Sequence, residues 1–477
     1  MAIAPLYLTA GVRELERAAG DAQPPLMERA GAAAAALAAR IAPTDAKDVL
    51  VLAGPGDNGG DARIAAERLR ELFFRVTVAS RPQEIPPARD WALVIDGLFG
   101  IGLGREVTGD YAALVDYVNR QRCPVLALDV PSGLQADTGR VLGCAVRATH
   151  TLTFIALKPG LLTLDGPDHC GEVAVDTLGL AVEKLVPPSA WVASPALFAG
   201  VLRPRPRNFH KGQAGSLGIL GGAPGMTGAA LLAGRAALKL GAGRVYVGFL
   251  GREHPLDPLM PELMVRHADE VLGLDLDALV VGPGLGTTGH AETLLGAALA
   301  SELPCVLDAD ALNILAESDD LRSACLRRRA ETLLTPHPAE AARLLGRSTP
   351  EVQADRVAAA QALAKRFNAH AVLKGNGSVI AARDGHWFVN ASGHPGMASA
   401  GMGDVLSGLL GALLAQRFSG ESSLVLGVHL HGAAADALAA SGTGPVGLTA
   451  SEVIDSARRL WNTWLRESRS ANPSEQA

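Results

Sequence analysis

Aromatic side chains are scarce: Phe, Tyr and Trp together make up 4% of the chain. That leaves little material for surfaces that stack nucleic-acid bases. Basic excess is missing too, since 43 Lys and Arg face 49 Asp and Glu for a formal net charge of −6. No electrostatic footprint for nucleic acid follows from such a balance. The local basic cluster from Arg203 through Arg207 to Lys211 reads as a solvated linker. Cysteine is limited to Cys123, Cys144, Cys170, Cys305 and Cys325, an odd number with no CxxC spacing. This excludes a disulfide frame or a Cys-based zinc site and suits a reducing compartment. Long apolar runs are lacking. The Ala30–Ala39 stretch falls well short of the ~20 residues a bilayer requires. At the N-terminus Pro5 interrupts the chain and no basic segment precedes an apolar run. A soluble, cytoplasmic protein that binds neither nucleic acid nor membrane is expected.

What is abundant is glycine, 54 residues, and hydrophobic side chains, 48% of a 477-residue chain. A chain this long exceeds one core and predicts at least two domains. Apolar runs alternate with helical patterns: strands are expected at 49–53, 75–79, 91–95, 125–128, 152–155 and 173–175, with helices at 62–72 and 111–121. Continuous apolar strands separated by helices mean a parallel sheet covered on both faces, with ligands at the carboxyl ends of its strands. The pattern lapses into a Pro-rich passage from Pro187 to Lys211. One domain is therefore assigned to residues 1–205 and a second to 206–468, leaving 469–477 as a disordered tail. The second series has strands at 216–220, 245–250, 278–281, 305–307, 332–334 and 371–373, then a hairpin turning on Asp384-Gly385. Its helices 405–416 and 424–439 are nearly all apolar and must be buried.

Two unlike glycine-rich loops suggest two active sites. Gly396-Met-Ala-Ser-Ala-Gly-Met-Gly-Asp404 opens an apolar helix. Consecutive N–H groups there make a socket for phosphate. Asp404 beside that socket either caps the helix or takes a proton from a hydroxyl that attacks a phosphoryl group. Lys374-Gly-Asn-Gly-Ser378 offers amides and a cation to a nucleotide, Gly282-Pro-Gly-Leu-Gly286 ends another strand, and His337 lies between prolines. In the first half, Gly54-Pro-Gly-Asp-Asn-Gly-Gly-Asp61 matches G-x-G-x-x-G literally, but Ser80-Arg81 stands where a dinucleotide-binding dehydrogenase needs an acid. Asn58, Asp96, Asp129 and Ser132 are oxygen donors at strand ends, beside a second cradle, Gly100-Ile-Gly-Leu-Gly-Arg105. Any one carboxylate reads more readily as a loop cap than as a ligand; the set reads as a site for a hard cation and an anion.

With Leu26-Met-Glu-Arg-Ala-Gly31, these first-half motifs resemble the NAD(P)H-hydrate epimerase family over residues 1 to about 205. The resemblance implies a Rossmann-like three-layer α/β/α domain. It places substrate on Asp57, Asn58, Gly59, Gly60, Asp61, Gly100, Ile101, Gly102, Leu103, Gly104, Arg105, Glu106 and Asp129, and K+ on Asn58, Asp96 and Ser132. Asp57 stands where Asn is usual and Ile101 where Thr is common, and the extra negative charge is expected to weaken diphosphate binding. The second half adds His210-Lys-Gly212, Gly221-Gly, Gly228-Ala229 and Asp308-Ala-Asp-Ala-Leu-Asn313. It resembles the ribokinase-like NAD(P)H-hydrate dehydratases, an α/β/α fold. The resemblance implies Ala229, Gly284, His337 and Asp404 on the hydrate, and Lys374, Gly375, Asn376, Gly377, Ser378 and Gly403 on the nucleotide. Asp404 and Asp129 are then the catalytic candidates, for ADP-dependent dehydration of the S hydrate and for interconversion of the R and S hydrates. ADP (or ATP) with Mg2+, NADH hydrate and NADPH hydrate are the expected small molecules, and a homo-oligomer is expected. The alternative is a small-molecule kinase of ribokinase type joined to a non-catalytic binding module.

Overall fold

The computed structural model describes residues 3–20, 22–43, 47–87, 89–202, 204–251 and 256–471. Arg203 of the basic cluster and residues 472–477 of the expected tail lie outside them. The chain divides into two compact units, Ala4–Trp191 and Val192–Ala477.

The first unit is built on a six-stranded sheet. Its strands are β1 (Asp48–Ala53), β2 (Arg75–Ala79), β3 (Leu93–Gly97), β4 (Val125–Leu128), β5 (His150–Phe154) and β6 (Glu172–Asp176), in the order β2-β1-β3-β4-β5-β6. Every pairing is parallel. Val49 to Ala53 are wholly buried, as expected for a strand covered on both faces. The alanine stripe Ala30, Ala34, Ala35 and Ala38 of the helix Leu26–Ile41 is buried. It lets that helix approach the helix Asp57–Glu71 so closely that a Cβ on Gly31 would fall 2.4 Å from Ile64 Cγ2.

The second unit holds a ten-stranded sheet. Its strands are β7 (Ala190–Val192), β8 (Ser216–Gly221), β9 (Arg244–Phe249), β10 (Met264–His267), β11 (Ala278–Val281), β12 (Cys305–Leu307), β13 (Thr332–Leu334), β14 (His370–Leu373), β15 (Ser378–Ala381) and β16 (Trp387–Asn390). Their order is β10-β9-β8-β11-β12-β13-β14-β15-β16-β7, with the hairpin β15–β16 antiparallel to an otherwise parallel run from β10 to β14. The helices Met402–Ala415 and Gly420–Ala440 form its apolar centre. Gly408 is what allows close packing there, since a Cβ would lie 2.1 Å from Ala233 O. Gly420–Ala440 is long and apolar enough to cross a membrane, yet 67% of its apolar window is buried within the protein.

Two boundaries differ from the sequence expectation. The units divide within the edge strand Ala190–Val192 and not at 205; just beyond it Ala193 N donates to Val389 O at 2.9 Å. Three residues are too short for periodicity to reveal. The chain from 469 to 471 is also not a tail, because the helix Ala450–Ala471 runs through it. Strands β7 and β10 were not read from sequence.

Candidate active sites

Strand order reverses in both sheets, between β1 and β3 in the first and between β8 and β11 in the second. A crevice opens at such a point because the connections leave in opposite directions. In the first sheet the loop after β1 carries Gly54 to Gly56 and leads into the helix Asp57–Glu71, whose first turn holds Asn58, Gly59 and Gly60, and the site is built there. A Cβ on Gly54 would sit 1.8 Å from Leu98 O and one on Gly59 1.9 Å from Gly54 O, so neither position admits a side chain. A cavity of about 490 Å³ lies against this loop, lined among others by Asp57, Asn58, Asp61, Gly100, Ile101, Gly102, Leu103 and Asp129. Gly59 and Gly60, in the first turn of that helix, and Gly104, Arg105 and Glu106 are not among its lining residues.

Asp96, at the end of β3, is completely buried. Its Oδ1 accepts from Ser132 Oγ at 2.6 Å and its Oδ2 from Ser132 N at 2.8 Å. Burial pushes its carboxyl up to about 6, partly offset by those hydrogen bonds. Asn58 is 8% exposed; its Nδ2 donates to Leu128 O at 3.1 Å, while Oδ1 is buried without a partner. An unsatisfied buried oxygen beside a buried carboxylate and a hydroxyl is a donor set that fits a hard monovalent cation.

Asp129 follows β4 in left-handed backbone at φ 63°, a strained placement for a residue with a Cβ. The strain aims its carboxylate at the cavity. Oδ2 accepts from Ile101 N at 3.0 Å, a contact of the main chain that Ile makes as well as Thr. Oδ1 accepts from Lys158 Nζ at 2.5 Å. Lys158 is wholly buried and also donates to Thr153 Oγ1 at 2.8 Å and Phe154 O at 2.7 Å. Sequence reading missed Lys158, and its one signal was a lysine placed directly before Pro159-Gly160 after an apolar strand. Also missed were Arg13 and Glu16, which the helix Thr9–Ala19 brings to the cavity wall. Asp61 is nearly buried, and its carboxyl is lifted to about 7 by burial and then by Asp129, Asp57 and Glu16.

In the second unit the β11 loop meets the β8 loop. A Cβ on Gly282 would lie 1.8 Å from Asp308 O, and one on Gly284 3.2 Å from Ala229 Cβ, so Ala229 and Gly284 adjoin. Asp404 stands in the first turn of Met402–Ala415, entered through Gly401 at φ 89°. Burial first, then Asp308 and Asp310, push its carboxyl up to about 6 against the lowering influence of Lys374. Lys374 Nζ donates to Asp308 Oδ1 at 3.0 Å, and Ser407 Oγ to Asp308 Oδ2 at 2.7 Å. A Cβ on Gly403 would lie 3.3 Å from Lys374 Nζ, which brings together the two segments that the resemblance assigns to the nucleotide. Ser378 Oγ closes the 374–378 loop by accepting from Gly375 N at 3.3 Å.

His337 serves as helix cap: Nδ1 accepts from Ala339 N at 3.1 Å and Glu340 N at 3.4 Å, and Nε2 lies 3.2 Å from Glu340 Oε1. Both ring nitrogens are thereby engaged. His394 likewise caps the turn Pro395–Met397, its Nδ1 accepting from Gly396 N at 3.2 Å. Two further residues escaped sequence reading. Arg356 is 1% exposed and donates to Leu373 O at 3.2 Å and Lys374 O at 3.3 Å, where the chain enters the 374–378 loop. His431 is buried with Nε2 unpartnered, and burial and Lys374 hold its imidazole down to about 4.

Residues 217–459 match the family model described as NAD(P)H-hydrate dehydratase. Residues 23–93 and 82–160 match the one described as YjeF-related protein N-terminus. The chain is similar to the bifunctional NAD(P)H-hydrate repair enzyme Nnr of Coxiella burnetii, 40% identical across 96% of this chain and 99% of that protein. To the enzyme of the same name from Escherichia coli it is 38% identical across 95% and 92%. Its fold is similar to that of the ADP/ATP-dependent NAD(P)H-hydrate dehydratase from Bacillus subtilis co-crystallised with ATP/Mg2+ (TM-score 0.51, 28% identity, 57% of this chain and 98% of that one). With both domain types present in one chain and likeness running nearly end to end, the protein belongs to the bifunctional NAD(P)H-hydrate repair enzymes, which join an epimerase to a dehydratase.

Proposed function

We propose that the second unit dehydrates the S hydrate of NADH or NADPH with the magnesium complex of ADP as co-substrate, through Asp404. The observation that carries this reading is the carboxyl of Asp404, raised to about 6 beside the Gly401–Gly403 turn and Lys374. At neutral pH it is ionised yet basic enough to accept a proton, which is what a general base requires. Asp404 takes the proton of the hydroxyl, whose oxygen attacks the terminal phosphoryl group of ADP. AMP leaves while the amides of residues 401–404 and the Lys374 ammonium hold the developing charge. The phosphorylated oxygen then departs as phosphate, pushed out by the ring-nitrogen lone pair, and loss of the adjacent proton restores the dihydronicotinamide. Ala229 and Gly284 supply the close wall against the hydrate, and residues 374–378 the nucleotide contacts.

For the first unit we assign epimerisation to Asp129, the carboxylate that the strained β4 turn aims at the cavity, with Lys158 as its proton-sharing partner. Water can add to either face of the nicotinamide ring, while a phosphoryl-transfer site of fixed geometry takes one epimer; the first unit converts the other into it. Asn58, Asp96 and Ser132 would hold K+, which when bound supplies fixed positive charge for substrate oxygens. The five thiols are free, which supports a cytoplasmic setting. The test is recovery of reduced-cofactor absorbance from a mixture of both NADH-hydrate epimers given ADP, Mg2+ and K+. Complete recovery is expected. A halt at the fraction of the single usable epimer would leave the first unit without epimerase activity.

A further inference from the structure

The hydroxyl-bearing carbon can lose its configuration in two ways, by departure of water or by opening of the ring, and the two differ in charge. The wall of the first unit's cavity carries four carboxyl groups, Glu16, Asp57, Asp61 and Asp129, against the single guanidinium of Arg13. Lys158 does not reverse this surplus, because its ammonium is bound to Asp129 Oδ1, Thr153 Oγ1 and Phe154 O. A monovalent cation held at Asn58 and Ser132 would be matched by the buried Asp96 carboxylate. The groups act on one another: beyond burial, Asp129 raises the proton affinity of both Glu16 and Asp61. That the cavity is made to receive a ligand is indicated separately by Asn58, 8% exposed with Oδ1 lacking a partner. Of the four, Asp61 and Asp129 are buried while Glu16 and Asp57 are exposed, and like charges held around one cavity are unfavourable unless the working state brings positive charge among them.

We infer that the cavity stabilises a cationic iminium, so that epimerisation proceeds by departure and return of water and not by ring opening. The inference rests on the epimerase reading above. The Asp129–Lys158 pair gives a proton to the hydroxyl, the C–O bond breaks with its electron pair leaving as water, and the ring-nitrogen lone pair closes a C=N+ bond. Water adds to the opposite face, nitrogen regains its pair, and the proton returns to Asp129–Lys158. Ring opening would instead break the C–N bond and pass the hydroxyl proton to nitrogen. Its aldehyde and amine are neutral and gain nothing from the negative wall.

The experiment uses the full chain without ADP, which keeps the second unit idle, and one purified NADPH-hydrate epimer in 18O-labelled water. The epimers are separated and weighed by mass spectrometry after subtraction of the enzyme-free rate. One solvent oxygen per enzyme-dependent inversion is expected. Inversion that keeps the original oxygen overturns the inference, whereas no enzyme-dependent inversion at all removes the epimerase reading itself. Glu16→Gln gives a second readout: kcat for inversion should fall tenfold or more, with KM unchanged or lower. A fall in KM alone, with kcat intact, would mean that Glu16 only repels the substrate's phosphates, and the inference fails.

Discussion

Asp404 sets a residue-scale expectation with a definite sign. Its carboxyl is raised to about 6 chiefly by burial, so the folded protein binds that proton more tightly than the unfolded chain does. The associated stability is present in acid and lost as pH rises through about 6. The ionised form that catalysis needs is therefore the form that burdens the fold at neutral pH. Asp404→Asn should lower kcat for dehydration by roughly 10²–10⁴-fold, while raising the unfolding temperature at pH 7.5. For the wild type, the dehydration rate should fall as pH drops below about 6. Near-normal turnover of the Asn variant in a reduced-cofactor absorbance assay would remove Asp404 from its role. Asp404 itself was legible, because a carboxylate at a glycine-rich helix start is a local pattern. Lys158 was not, because its meaning comes from Asp129, 29 positions earlier.

At the scale of elements, the 374–378 loop shows how a binding segment is held. Its glycines are local and readable: Gly375 has φ 142°, a conformation suited to glycine. What fixes the loop is distant. Arg356, within the helix Arg356–Phe367, donates to the two carbonyls that lead into it, and a Cβ on Gly375 would lie 2.9 Å from both Nη1 and Nη2. Replacing Arg356 with Met removes its hydrogen bonds to Leu373 O and Lys374 O, at a cost of about 1–3 kcal/mol in all. The variant is expected to raise KM for ADP about tenfold or more, with a smaller change in kcat. Unchanged KM for ADP in initial-rate kinetics would show that the loop holds its shape without the guanidinium. The helix Met402–Ala415 shows the opposite case. Its apolar character alone predicted burial, and it is buried from Val405 to Ala415.

For the whole molecule, each unit has its own sheet and carries its own proposed catalytic carboxylate. The two activities should therefore separate by mutation. Asp129→Ala is expected to abolish enzyme-dependent inversion and leave ADP-dependent turnover of purified S hydrate within about twofold of wild type. Loss of both in a variant with unchanged thermal unfolding would show that the activities are coupled. The sequence by itself determined the fold class, the presence of two domains and the glycine-rich loops, and it singled out Asp404, Asp129, Asn58, Asp96 and Ser132 as candidates. These are signals of short range, in which a strand's apolar run and the loop it ends in lie within a few residues of each other. Tertiary structure alone decided the boundary at Trp191, the buried Lys158 and Arg356 that brace the two sites, and the surplus of carboxylates around the first cavity. Glu16 and Asp129 face one cavity although 113 positions of chain separate them. Only the folding of the sheet and its covering helices brings such charges together, and the energy of a charge depends on what surrounds it in space.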